Sequence, residues 1–274
     1  MKKYGKFNKE RIENALKVIL EVCDKNVQKI NEEKKIFYLT KNNFSIEIIK
    51  LLAKPSDFKL TDKEGCSVLH IAASNNDLQT ISYFFESKCN INSKSNEGMT
   101  PFLCFCKRKQ FDENIFNFFL SSKSDINAKD NKNNNALHLL TNKKEIEKKF
   151  IDILVQKKLD LNAENSYRNT PLQISMNKSN SFEFVSYLVE KKASLQSGGG
   201  ITGSFCFENL ISNFTVSFEM IDLLQKYTSP QIFRNSVIKL LIEKYQKTLQ
   251  IPQREILEYL VKKGKFKINQ KKKK

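Results

Sequence analysis

A phrase that returns every 33 to 35 residues constrains this chain more than anything else in it. "DKEGCSVLHIAA" begins at Asp62, "SNEGMTPFLCFC" at Ser95, "DNKNNNALHLLT" at Asp130 and "NSYRNTPLQISM" at Asn165. Each is followed by a second apolar segment and a closing phrase: Cys89-Asn90-Ile91-Asn92, Ser124-Asp125-Ile126-Asn127, Leu159-Asp160-Leu161-Asn162 and Ala193-Ser194-Leu195-Gln196. A period of this length marks a small supersecondary unit that cannot bury its apolar face alone and is stabilised by its neighbours. A chain of 274 residues built this way is not limited by the size of one compact core.

One unit reads as two helices joined by turns. Ser67, Thr100, Asn135 and Thr170 each precede a short apolar run and carry a side-chain oxygen able to cap N–H groups two or three residues on. Pro101 and Pro171 follow two of them at the first helical position, where a missing N–H costs nothing. Ahead of the caps, Gly65 and Gly98 suit a left-handed turn, Asn133 tolerates one, and Arg168 departs from the pattern. A second helix is expected from about Asp77 to Ser87, with Leu78, Ile81, Phe84 and Phe85 at helical spacing. In the third unit Phe150, Ile151, Leu154 and Val155 repeat that spacing.

The pattern resembles the ankyrin repeat, whose T-P-L-H phrase recurs as Ser67-Val68-Leu69-His70, Thr100-Pro101-Phe102-Leu103, Asn135-Ala136-Leu137-His138 and Thr170-Pro171-Leu172-Gln173. The resemblance implies an all-α ankyrin-repeat solenoid of helix-turn-helix units joined by hairpin loops. Four units are expected at 62–94, 95–129, 130–164 and 165–197, after an N-terminal helical cap and degenerate repeat over 1–61. Degenerate repeats over 198–264 and a lysine-rich tail over 265–274 complete the organisation. Upstream, Leu51 and Leu52 fall in phase with Phe84 and Phe85; downstream, "VSFEMIDLLQKYTS" and "REILEYLVKKGKFKIN" look like further second helices. Divergent ends are expected where a terminal unit presents a polar outer face.

The same resemblance implies that His70 and His138, at one repeat position, tie neighbouring hairpins together by hydrogen bonds and are not catalytic. It also implies a concave partner-binding face. Its hairpin tips carry Lys63, Glu64, Asn96, Glu97, Asn131, Lys132, Ser166 and Tyr167; its first-helix ends carry Ser74, Asn75, Lys107, Arg108, Asn142, Lys143, Asn177 and Lys178. Six of these are basic and two acidic, which favours an acidic protein partner.

Other chemistry is weaker. Gly198, Gly200 and Gly203 have the G-x-G-x-x-G spacing of a dinucleotide loop, and Asp222 follows at about the distance of a ribose-binding acid. A helix and not a strand precedes them, however, and Asp222 reads as part of another second helix. Cys104 and Cys106 lie two residues apart on a helix and point to different faces, with no second pair to complete a metal site. Cys23, Cys66, Cys89 and Cys206 are scattered, as in a reducing compartment. No cofactor, metal or enzymatic activity is expected.

The formal charge of +17 raises nucleic acid and anionic membrane as partners. Only five of the 47 basic residues are Arg, which disfavours bidentate base or phosphate recognition. Lys262, Lys263, Lys265, Lys267, Lys271, Lys272, Lys273 and Lys274 form a polybasic cluster. It suits import, anionic lipid or weak nucleic-acid contact, and the second functional reading is a polybasic binder with the repeats as scaffold. With no apolar run of about 18 residues and no leader, an intracellular protein, cytoplasmic or nuclear, is expected.

Overall fold

A computed structural model describes residues 35–75, 77–141, 148–176, 182–195 and 217–233, with 239–240, 255 and 258–259. The chain divides into two compact units, one ending at Asn131 and the other beginning at Lys132. Among the described residues every regular element is helical.

The first unit holds α1 (Lys35–Lys41), α2 (Ile46–Leu52), α3 (Val68–Asn75), α4 (Leu78–Glu86), α5 (Pro101–Lys107) and α6 (Glu113–Ser121). Helix α3 packs on both α1 and α5, so the first helices of three successive pairs lie side by side. Caps set the helix starts. Asp77 accepts from the Thr80 N–H at 2.8 Å, Thr100 from Leu103 at 3.3 Å, and Asp112 from Asn114 and Ile115 at 2.8 and 3.1 Å. Ser67 corrects the expectation. Its hydroxyl meets His70 Nδ1 at 2.8 Å instead of a backbone amide.

Val68, Leu69, Ala72, Ile81 and Phe84 are fully removed from solvent. In the next pair, Phe102 and Phe105 of α5 meet Phe116 and Phe119 of α6 with ring centroids 5.7 to 6.4 Å apart. Each buried Phe contributes roughly 1.5–3 kcal/mol. This repeat has Leu103 where its neighbour has His70, and Leu103 is fully buried.

Hairpins are joined by a ladder in which each tip bonds the one before it. Asn96 donates its N–H to Glu64 O at 2.9 Å and its Nδ2 to Lys63 O at 3.1 Å; Asn131 repeats this with Glu97 O at 2.9 Å and Asn96 O at 2.8 Å. The asparagine amide leaves no room for a side chain on the preceding hairpin. A Cβ on Gly65 or Gly98 would lie against Asn96 or Asn131 Oδ1 and 2.8 Å from the same residue's N, while φ is +72° and +74°. Glycine is required there for both reasons.

The second unit holds α7 (Ala136–Leu140), α8 (Lys148–Gln156), α9 (Pro171–Met176), α10 (Phe182–Glu190), α11 (Phe218–Tyr227) and α12 (Pro230–Ile232). Helix α9 packs on α7 and α10, and α10 packs on α11. Thr170 and Gln173 cap reciprocally, with Thr170 N–H donating to Gln173 Oε1 at 2.9 Å and Gln173 N–H to Thr170 Oγ1 at 3.3 Å. Polar ties join α8 to α10 and to Lys191 just after it: Lys148 to Glu183 at 2.7 Å, and Asp152 to both Lys191 and the Tyr187 hydroxyl at 2.6 Å.

Lysine ends the second helices in both units. Lys88, Lys123, Lys158 and Lys192 all have positive φ, between 59° and 75°. At Lys158 the N–H reaches Val155 O at 2.9 Å and the next N–H reaches Leu154 O at 3.0 Å, the paired bonds of a left-handed helix stop that usually falls to glycine. Arg168 also takes the left-handed conformation, at φ 59°, although its side chain is one the turn disfavours.

Candidate functional site

Both histidines bridge hairpins. His70 Nδ1 accepts from the Ser67 N–H at 3.0 Å, and its Nε2 lies 3.0 Å from Met99 O on the next hairpin. His138 Nε2 lies 3.0 Å from Asn169 O in the same way. Each ring is buried in the framework, away from any surface where a substrate could meet it.

In the first unit, the hairpin tips and first-helix ends face one another across a groove of about 1150 Å³. One wall is the hairpins, with Lys63, Glu64, Asn96 and Glu97; the other is helix ends, with Ser74, Asn75, Lys107 and Arg108. All eight were expected on a binding face from the repeat register. Lys41, Asn43, Lys109 and Gln110 also line the groove and were not anticipated. The signal was in the period: stepping back 33 from Lys107 reaches Ser74, and 33 more reaches Lys41.

Asn131, at the end of the first unit, is an exposed tip whose side chain holds the hairpin ladder. In the second unit Lys132, Ser166 and Tyr167 are exposed at hairpin tips, and the Tyr167 side chain stands in solvent. Asn142, Lys143, Asn177 and Lys178 lie outside the described residues, as do the lysines at 262, 263, 265, 267 and 271–274. Gly198, Gly200 and Gly203 do too, whereas Asp222 is described: it sits in α11 and accepts the Tyr259 hydroxyl at 3.0 Å.

The groove floor is neutral. Burial pushes the Cys66 thiol up to about 11, helped by the carboxylates of Asp62 and Glu64, and burial pushes Cys104 up to about 12. Both stay protonated near neutral pH, the opposite of an activated nucleophile. Cys106 is buried while Cys104 faces the groove, as two positions separated by one residue on a helix must. Asp62, Glu64 and Cys66 crowd one turn because Asp62 Oδ1 accepts the N–H groups of both Glu64 and Cys66 at 2.9 Å.

Charge is concentrated on the helix-end wall. Lys41, Lys107, Arg108 and Lys109 stand there, against Lys63, Glu64 and Glu97 opposite. Arg108 is half-buried with its guanidinium 5.8 Å from the Phe105 ring centre. Burial lowers its pKa, which the Asp112 carboxylate partly offsets, and a guanidinium remains cationic throughout.

A family profile described as ankyrin repeats, in three copies, matches residues 10–95, 36–130 and 103–197. The chain belongs to the ankyrin-repeat family. The overlapping matches take the ankyrin register back ahead of α1, which explains why Lys41 shares a wall with Lys107. No curated protein matches the chain. Ankyrin repeats are in general protein–protein interaction modules, and the family is typically non-catalytic. Among the described residues no helix is long and apolar enough to cross a membrane.

Proposed function

We propose that this ankyrin protein is a non-catalytic interaction module that binds an acidic segment of a protein partner in the groove of its first unit. The observation that carries this reading is the lining itself: five cations, Lys41, Lys63, Lys107, Arg108 and Lys109, against two carboxylates, Glu64 and Glu97. The groove faces are polar and the floor thiols uncharged, so an acidic chain gains charge-assisted hydrogen bonds without displacing a packed apolar surface. Complementarity of this kind acts first on the association rate and is weakened by salt.

The test is fluorescence anisotropy of a labelled glutamate-rich peptide against the full chain, beside a neutral peptide of equal length. The acidic peptide is expected to bind saturably, and K107E/R108E is expected to weaken it by at least about tenfold, a change of about 1.4 kcal/mol. Equal binding of the two peptides, or an affinity untouched by the double reversal, would overturn the proposal.

A further inference from the structure

The cations of the helix-end wall are not evenly spread, and their spacing is informative. Lys107, Arg108 and Lys109 cluster at the end of α5, Lys41 ends α1, and between them α3 ends in the neutral pair Ser74 and Asn75. Because α3 packs between α1 and α5, the two cationic points are two helix spacings apart. At about 8–10 Å per spacing that is roughly 16–20 Å. An extended chain advances about 3.3–3.6 Å per residue, so about five or six residues bridge the gap.

We propose that the groove reads an extended acidic segment with two carboxylate clusters about five or six residues apart, one at the α5 end and one at Lys41, joined by small polar residues across α3. This rests on the acidic-partner reading above and adds a spacing rule to it. Ser74 and Asn75 suit the linker, since they offer hydrogen bonds but no charge. The carboxylates of Glu64 and Glu97 on the opposite wall turn the acidic side of the segment toward the helix ends, by the like-charge repulsion that gives interfaces their orientation. The two contacts reinforce one another because the second forms at the high effective concentration set by the first.

Three fluorescein-labelled peptides of one composition test this, each with four carboxylates in a Ser-Gly background. In one the carboxylates are contiguous; in the others they form two pairs separated by about six or about twelve residues. The six-residue spacing is expected to bind the full chain about tenfold tighter than either alternative. K41E, and K41Q as the milder change, are expected to erase that advantage by weakening the six-residue peptide about tenfold more than the contiguous one; K107E/R108E is expected to weaken all three. Three equal affinities, or K41E weakening every peptide alike, would overturn the spacing rule while the acidic groove stands. If K107E/R108E changes nothing, the groove reading fails and the rule falls with it. Thermal melts of each variant, matching the parent, secure the comparison.

Discussion

At the residue scale, one turn position carries different strain in different repeats. Gly98 is locked by its φ of +74° and by Asn131, whose N would stand 2.8 Å from a new Cβ. Gly98→Ala should therefore destabilise the protein by about 2 kcal/mol or more, the left-handed cost of an L residue plus the clash. Arg168 occupies the same turn position two repeats on with φ 59°, so Arg168→Gly should stabilise by about 0.5–1 kcal/mol, the left-handed penalty less the entropy of an unfolded glycine. Urea midpoints of the two variants should move in opposite directions. The sequence pattern places the turn and marks Arg168 as ill-suited to it; the arginine keeps the backbone conformation because the hairpin ladder, through Ser166 N–H to Lys132 O at 2.8 Å, holds the loop regardless of the residue in it.

His70 adds a pH dependence at the same scale. Burial lowers its pKa in the folded chain, with the carbonyls of Met99 and Ser93 opposing. The unfolded chain takes up this proton near the ordinary value of about 6.5, so between the two values it binds more protons than the folded chain. Stability should therefore fall as pH drops below about 6.5, down to the folded pKa. His70→Gln is the control, because Gln173 fills the equivalent position in a later repeat. Denaturation at pH 7.5 and 5.5 should show a smaller loss in the variant; an equal loss would remove His70 as the cause.

At the element scale, helix starts were legible and helix stops were not. Thr100, Asn135 and Thr170 cap as their side chains indicate, while Ser67 turns its hydroxyl to His70 instead. Stops are usually read from glycine, and here lysine stands in the left-handed position at the end of α4, α6, α8 and α10, giving no signal until the helices are placed. The compensation is electrostatic: a cation beside a helix C-terminus recovers about 0.3–1 kcal/mol of the roughly 1–2 kcal/mol the conformation costs. Lys158→Gly is expected to raise stability by up to about 1 kcal/mol, while Lys158→Ala, which keeps a Cβ, should not. Thermal or urea unfolding of the pair separates backbone strain from removal of the charge. Helix α1 lies within the stretch expected to hold a helical cap and a degenerate repeat, but no T-P-L-H phrase announces where it starts, so Lys41 was not placed on the binding face.

At the scale of the whole molecule, two basic features compete to explain the charge of +17, and they differ in kind. Lys41, Lys107, Arg108 and Lys109 line one groove together with Glu64 and Glu97, an arrangement that suits discrimination among acidic ligands by geometry. The eight lysines from Lys262 to Lys274 are compact point charges on flexible stems, which suits sequence-independent attraction to a polyanion. Replacing Lys271 to Lys274 with Gln should weaken binding of the full chain to single-stranded nucleic acid or anionic vesicles. For nucleic acid it should flatten the salt dependence by about 0.7 log units per log of salt for each phosphate that a tail lysine no longer neutralises. The same change should leave the two-cluster acidic peptide bound, since the contacts proposed for it are Lys41, Lys107 and Arg108 of the groove and none is a tail lysine. Should the tail substitutions abolish peptide binding while K107E/R108E leaves it intact, the repeats serve as scaffold and the lysine cluster is the binding element.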